Sequence, residues 1–450
     1  MPTGNLITHS LTYTKEDAVK YTLTPMFVDA DIRQICEVMT GVKTAVKLDY
    51  VSKLRKITKQ YAKGSANSST GVTITQRELR VGGVKAQVHQ DGRVFLNWVK
   101  QEALKSGYQI HDITGTLFEQ IVMAVWNRAL ARDLQAQIMF ANPIKETIVS
   151  GAPSGTLDED YAIAGYLGFW ELFQQDIASS VFPAAQVLDI NTSTYQNQVA
   201  VKGKKTMTLS GTSGTANIPI NGVNYLATFN SSLTQTAADF VTAHAATILA
   251  RYGRCVVTAG AGTIIVEAGI PGLDVSVGAA VNVSGNLASS GVATTTAAVL
   301  NTTLKADAAK AAMKAAYELM PPVMRAAKGD LRYIVTQEFA DNYMETLETA
   351  TGIPAAYQKV IEGQEYFTYR GIPLVVRPQM DEDIAGDLGG VQPHRFMLTD
   401  PSNLVFGTDG SGDTEMFEMW YEQNEQENRM RNEYMGGTQY RLADFTVIAQ

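Results

Sequence analysis

Charge is scarce in this chain. Asp, Glu, Lys and Arg make up 18% of its 450 residues, against about a quarter in an ordinary soluble domain, so parts of its surface are expected to be covered by partners. Acids outnumber bases, 45 to 37, and the formal net charge of −8 is the wrong sign for coating DNA by phosphate neutralisation. Only two cysteines are present, Cys36 and Cys255. They suit a reducing compartment and exclude both a disulfide framework and the spacing of a zinc site. The five histidines, His9, His89, His111, His244 and His394, fall in five separate segments. No apolar run is long enough to cross a bilayer, and the opening residues lack the basic-then-apolar layout of a secretory signal, so a soluble intracellular product is expected. Also missing are the phosphate-binding Gly-x-x-x-x-Gly-Lys loop, the dinucleotide Gly-x-Gly-x-x-Gly turn, the Gly-x-Ser-x-Gly elbow and His-Glu-x-x-His. No catalytic residue, cofactor or metal is therefore expected.

What is there is enough chain for two or three domains, at roughly 100–200 residues each. A polar, Thr-rich start reads as an extended arm, followed by a short amphipathic helix over 28–39. Residues 43–63 carry seven basic side chains against one acid, Asp49. After the turn-rich GSANSSTG, the segment VTITQRELRVGGVKAQVHQD alternates β-branched and polar residues. Together these predict a long two-stranded ribbon, which cannot bury a face by itself and must rest on something else. A short helix is expected in VFLNWVKQEALKSGY. A long one follows over 114–139, where Leu117, Ile121, Val125, Leu130, Leu134 and Ile138 recur at three and four. Residues 165–177 predict a third.

Composition then changes. Residues 201–300 hold eight charged side chains in total, and 206–250 hold Asp239 alone. A hairpin in TMTLSGTSGTANIPINGVNYLATFN, a helix over 236–251 and three further short strands describe a small α+β module inserted into a host domain. Beyond it lie an Ala-rich helix stopped by Pro321-Pro322, a strand and helix in DLRYIVTQEFADNYMETLETATG, and a hairpin in YFTYRGIPLVVRPQM. An acidic loop DEDIAGDLGG comes next, then three long closing strands with a turn at Gly436-Gly437.

The most informative pattern is a charge asymmetry. Lys53, Arg55, Lys56, Lys59 and Lys63 concentrate on the ribbon, whereas Glu415, Glu418, Glu422, Glu425 and Glu427 lie on a late strand. These are either mating surfaces between copies of the chain or two solvated faces, and charge alone leaves both open. Contact of the ribbon with nucleic acid is less favoured, since Tyr61 is the single aromatic interleaved there. The acids Asp381, Glu382, Asp383 and Asp387 do not follow a calcium-loop spacing.

The order of segments, arm, two-stranded loop, long helix, α/β region and closing strands, resembles the major capsid proteins of tailed bacteriophages with the HK97 fold. Residues 52–91, 114–139, 304–352 and the tail from FMLTDPSNLVFGTD to RLADFTVIAQ carry that likeness. The resemblance implies an α+β fold of named parts: an N-terminal arm over 1–42, an E-loop over 43–95 and a P-domain with its spine helix over 96–185. An inserted α+β domain follows over 186–300, then an A-domain over 301–393 and C-terminal P-domain strands with an A-domain return over 394–450. The insert is similar to small domains in structural proteins of phages of Bacteroidota, including the crAss-like group. The implied partners are further copies of the chain in hexamers and pentamers, portal, scaffold or decoration proteins, and packaged double-stranded DNA held by non-specific contacts; no membrane is implied. The implied place is the virion, assembled in the host bacterial cytoplasm. The basic ribbon and acidic strand residues would be intersubunit contacts, and the insert would face outward. No Lys–Asn crosslink is expected, because nothing identifies an Asn partner and a catalytic Glu together. A phage tail sheath or tube subunit is the alternative, and from another class a metal-dependent hydrolase using Asp381, Glu382, Asp383 or His394.

Overall fold

The computed structural model describes residues 32–54, 72–91, 117–149, 152–163, 165–250, 255–351, 358–361, 364–387, 390–391, 394–409 and 418–450. The helix expected over 94–108 and most of the arm lie outside them. In chain order the first part comprises β1 (Glu37–Met39), β2 (Ala45–Leu54), β3 (Val72–Arg80), β4 (Gly82–Asp91) and α1 (Leu117–Phe140). The hairpin β5 (Glu146–Val149) and β6 (Ala152–Leu157), α2 (Phe169–Ala178) and β7 (Val187–Leu188) follow. The low-charge tract forms β8 (Lys204–Ser210), β9 (Gly214–Ile220), β10 (Val223–Thr228), α3 (Leu233–Ala250), β11 (Val256–Ala259), β12 (Thr263–Glu267), β13 (Val281–Gly285) and β14 (Ala288–Thr296). After it come α4 (Ala308–Leu319), α5 (Pro322–Ala326), β15 (Arg332–Thr336), α6 (Gln337–Thr351), β16 (Gln358–Ile361), β17 (Gln364–Tyr369), β18 (Ile372–Arg377) and α7 (Gln379–Asp387). The chain closes with β19 (Phe396–Thr399), β20 (Leu404–Gly407), β21 (Glu418–Glu422), β22 (Glu427–Tyr440) and β23 (Thr446–Ala449).

Seven strands make the largest sheet, in the order β16-β17-β18-β15-β19-β23-β7. Its centre, β15, is the continuous apolar run Tyr333-Ile334-Val335, buried on both faces as a strand covered from two sides must be. β15 and β18 are parallel, so the chain needs a crossover between them, and α6 supplies it. The Ala-rich helix α4 presents Ala308, Ala309, Ala312, Met313 and Ala316 to this core. Its small side chains allow a close approach, and the Asn342 side chain accepts from the Ala309 backbone N–H at 3.0 Å.

The low-charge tract folds into a three-stranded sheet, β10-β9-β13, and a four-stranded sheet, β11-β12-β8-β14. Alternate residues of β9 and β12 turn inward, among them Ile218, Ile220, Ile264 and Val266, and share a core with Phe240 of α3. The chain enters and leaves side by side, through the bridges Gln196 to Leu304 and Val201 to Val299. A second contact holds the tract down: the β9–β10 turn, Asn221-Gly222, sits against Ser154-Gly155 of β6. A Cβ on Gly222, which has φ +77°, would meet the Ser154 carbonyl oxygen at 2.2 Å, so only glycine closes both the turn and the contact.

Several expectations are corrected. The stretch expected to be a helix over 28–39 is, where described, one 3-10 turn at Ile32–Gln34 and the strand β1, which pairs in parallel with β20. Glu37 is held there by Arg441 at 2.8 and 3.0 Å, and the sheet partner overrides helical spacing. The run over 72–91 is two strands, because the chain corners at Val81 and sends β4 to β22 rather than to β2. The stretch read as one hairpin holds three strands: β9 and β10 do pair as a hairpin, whereas β8 lies in the other sheet, with Asn286 accepting from the backbone of Thr212 and Ser213 between them. Pro321-Pro322 stops α4 but also starts α5, with Pro322 at its first position, where the missing N–H costs nothing. The acidic segment expected as a loop is the helix α7, with Asp381 and Glu382 in its first turn, where carboxylates favour a helix. Finally, Gly436-Gly437 is not a turn. β22 runs straight through it for 14 residues, pairing with β4 up to Gly436 and with β20 from Gly437.

Candidate assembly surfaces

The ribbon is the first surface. β2 and β3 pair from Ala45–Arg80 to Leu54–Val72 and form a two-stranded sheet of their own. Its root is anchored: Val42, Leu48, Leu79, Val81 and Val405 form a small apolar cluster. Arg77, on the same face of β3 as Leu79, bonds Asp176 of α2 at 2.9 Å while its guanidinium lies 3.8 Å from the centre of the Tyr440 ring. The Tyr440 hydroxyl also donates to Asp176, and burial, reinforced by that carboxylate, pushes its ionisation far up. The Arg77, Asp176 and Tyr440 cluster escaped sequence reading, since the three residues lie on three distant segments with no shared spacing. Further out Ile74 is 68% exposed, while Tyr50, 36% exposed, meets Phe445 edge-on with 6.2 Å between ring centres. Lys53 occupies β2 opposite Thr73; Arg55, Lys56, Lys59 and Lys63 lie outside the described residues.

The acidic strand is the second surface. Glu418 and Glu422 bound β21, Glu425 lies in the tight turn after it, Glu427 opens β22, and Glu415 lies outside the described residues. The structure partly neutralises this face from within. Arg431 lies 3.6 Å from Glu418 and 3.5 Å from Glu433, Arg429 pairs with Glu425, and Lys85 of β4 lies 3.7 Å from Glu433. Glu427 stands 4.0 Å from His89. Exposed cross-strand pairs like these are worth about 0–1 kcal/mol each, so they leave the carboxylates open to exchange partners.

The long helix α1 is the third. Val122, Trp126, Ile138, Met139 and Phe140 are buried, while Leu130 and Leu134 are only half-buried by their own chain. Tyr434 of β22 donates to Gln137 of this helix at 2.6 Å, which ties the helix to the long strand.

The residues of the hydrolase alternative are drawn into structural roles. Three consecutive carboxylates of α7 each hold a different element. Asp381 accepts the backbone N–H groups of Gln337 and Glu338 at the start of α6, at 3.2 and 3.3 Å. Glu382 bonds Arg132 of α1 at 2.5 Å, and Asp383 accepts from the Tyr161 hydroxyl at 2.7 Å. His394 sits between Asn301, at 3.2 Å, and Glu338, at 3.0 Å. Among the described residues no three His, Cys, Asp or Glu side chains converge to hold a metal ion. Cys36 and Cys255 are buried and unbridged, and burial pushes the Cys255 thiol up to about 12. Among the described residues no helix is long and apolar enough to cross a membrane.

Burial raises the Asp381 carboxyl to about 7, and Glu338 and Asp341 add to the rise, against the lowering effect of its two backbone donors. Asp133, Asp160 and Asp383 are raised as well, burial leading in each. The folded chain therefore holds these protons more tightly than the unfolded chain, and its stability falls as pH rises from about 4 through about 7. Asp381→Asn mimics the protonated group. Its advantage over wild type in thermal unfolding is expected to grow with pH, small at pH 5 and about 2–4 °C at pH 8. Equal midpoints at both pH values would contradict burial of Asp381 as a source of the pH dependence.

No family model matches the chain, and no curated protein matches it. Among solved structures, a chain of the satellite phage P4 procapsid that includes the size determination (Sid) protein is similar at 8% identity and a TM-score of 0.44, covering 98% of this chain and 92% of that one. A chain of Mycobacterium phage Ogopogo is similar at 9% identity and TM-score 0.40, with coverage of 93% and 91%. The capsid of an empty GTA particle is similar at 10% identity and TM-score 0.39, with coverage of 94% and 90%. At such identities no residue's role passes from those chains to this one.

Proposed function

We propose that this chain is a shell-forming structural subunit, the major capsid protein of a tailed bacteriophage with the HK97 fold. The ribbon carries the reading. A two-stranded sheet whose first strand is ten residues long, anchored at its root and with Ile74 exposed further out, is marginal in water and gains its missing layer from a neighbouring copy. In this reading residues 1–42 are the arm, 43–95 the E-loop, 96–185 the P-domain with α1 as its spine, 301–393 the A-domain, and 394–450 the returning strands. Residues 186–300 are an outward-facing insert that leaves the contacts between neighbours clear. Copies assemble as hexamers and pentamers around packaged DNA, with the basic tip of one ribbon lying on the β21–β22 carboxylates of the next. A standard interface buries about 800 Å² per partner, and a surface this poor in charge sheds little hydration on such burial.

Negative-stain imaging of the purified protein tests the proposal. Closed shells of uniform size are expected. Tubes or stacked rings would transfer the chain to the sheath or tube alternative, and a solitary subunit at high concentration would overturn the assembly reading.

A further inference from the structure

A cleft of ≈ 380 Å³ lies between the base of the low-charge tract and the edge of the seven-stranded sheet, with Gln196, Asp189, Lys202, Arg395, Pro271 and Val391 among its walls. We propose that it binds a small hydroxylated carboxylate, a ligand of the size and chemistry of a uronic acid. The volume is in the range of small-molecule sites. Lys202 has no carboxylate partner among the described residues, whereas its neighbours Lys204 and Lys205 are spent on Glu267 at 3.1 Å and Asp274 at 3.3 Å. Its ammonium is the cation that the cleft offers to an anionic group.

A bare anion would not complete the site, because two of its walls also offer oxygen acceptors. Gln196 is 2% exposed, and its side-chain oxygen is buried with no hydrogen-bond partner. Such an oxygen is costly to leave unpaired, and a ligand hydroxyl that donates to it removes the penalty. Asp189 uses one oxygen for the Asn191 backbone N–H, at 2.9 Å, and can accept a hydroxyl at the other. Pro271 and Val391 offer apolar surface to the C–H face of a ring. Inorganic phosphate, without a C–H face for Pro271 and Val391, fits less well than a hydroxylated carboxylate.

Titration calorimetry on the full-length protein with D-glucuronate, D-glucose and acetate at fixed ionic strength tests this. Glucuronate is expected to bind at least about tenfold more tightly than either of the others. Lys202→Met and Gln196→Leu are each expected to weaken it by about tenfold or more at an unchanged unfolding midpoint. Should Gln196→Leu fail to fold, the half-buried Lys202 decides the matter alone. Equal affinities for glucuronate and glucose, no heat of binding up to about 10 mM, or wild-type binding by Lys202→Met would overturn the proposal. None of these outcomes depends on whether the chain forms shells.

Discussion

A variant carrying Lys53→Glu, Arg55→Glu, Lys56→Glu and Lys59→Glu is expected to remain a folded subunit and to form no particles. The root of the ribbon does not depend on those residues. It is held by the Val42, Leu48, Leu79, Val81 and Val405 cluster and by Arg77 between Asp176 and Tyr440. At the distal end, four cations proposed to lie on Glu418, Glu422, Glu425 and Glu427 of a neighbour become four acids. Each contact near 4 Å then changes from attraction to repulsion, a swing of about 2 kcal/mol in open water and about 8 kcal/mol where the interface is partly desolvated. Over many equivalent contacts in a shell that difference is decisive. Size-exclusion chromatography with light scattering and micrographs check the result, with circular dichroism confirming the fold. Particles of normal size and yield from this variant would remove the ribbon's charge from the account of assembly. The same argument expects wild-type assembly to slow as salt rises, since exposed charges are screened beyond about 8–10 Å.

Gly437→Val is expected to be severely damaging. A Cβ at Gly437 would lie 2.1 Å from the Arg80 carbonyl oxygen and 2.9 Å from its carbon. Both atoms are backbone, so no side chain can swing aside. The corner between β3 and β4 would have to retreat, and with it the pairing of β4 to β22 and the apolar cluster at the ribbon root. A loss of about 4 kcal/mol follows, enough to leave much of the protein insoluble. Gly329→Ala is the control: a Cβ there meets nothing within 4 Å, and a change within about 0.5 kcal/mol is expected. Chemical denaturation of both variants measures the contrast, and an unchanged midpoint for Gly437→Val would show that the corner is more compliant than its geometry indicates.

Element positions were largely legible in the sequence, because they depend on local periodicity. The apolar spacing over 114–139 anticipates α1 at Leu117–Phe140, and TIIVEA anticipates β12. Partners were less legible. The diglycine in β22 carries a turn's composition, yet it serves a strand exchanging one neighbour for another over a backbone crossing. The acids 381–383 have the composition of a solvated loop, yet as α7 they tie α6, α1 and Tyr161 together. The charge asymmetry singled out the acidic face but not Lys85, which helps to offset it from a strand more than 300 positions away in sequence. Arg77, Gln196 and Lys202 carried no signal at all, because a lone polar residue becomes a site only through what folding places beside it.

By itself, the amino-acid order determined where helices and strands fall, where the low-charge tract begins and ends, and that no familiar catalytic spacing is present. These are properties of neighbours along the chain, and side-chain periods of two and 3.6 residues record them directly. Tertiary structure alone decided which strand lies beside which, how Arg77 and Asp176 meet, and that a cleft opens at the base of the tract. A period states which face is apolar but not what covers it, and that choice is made by packing between segments hundreds of residues apart.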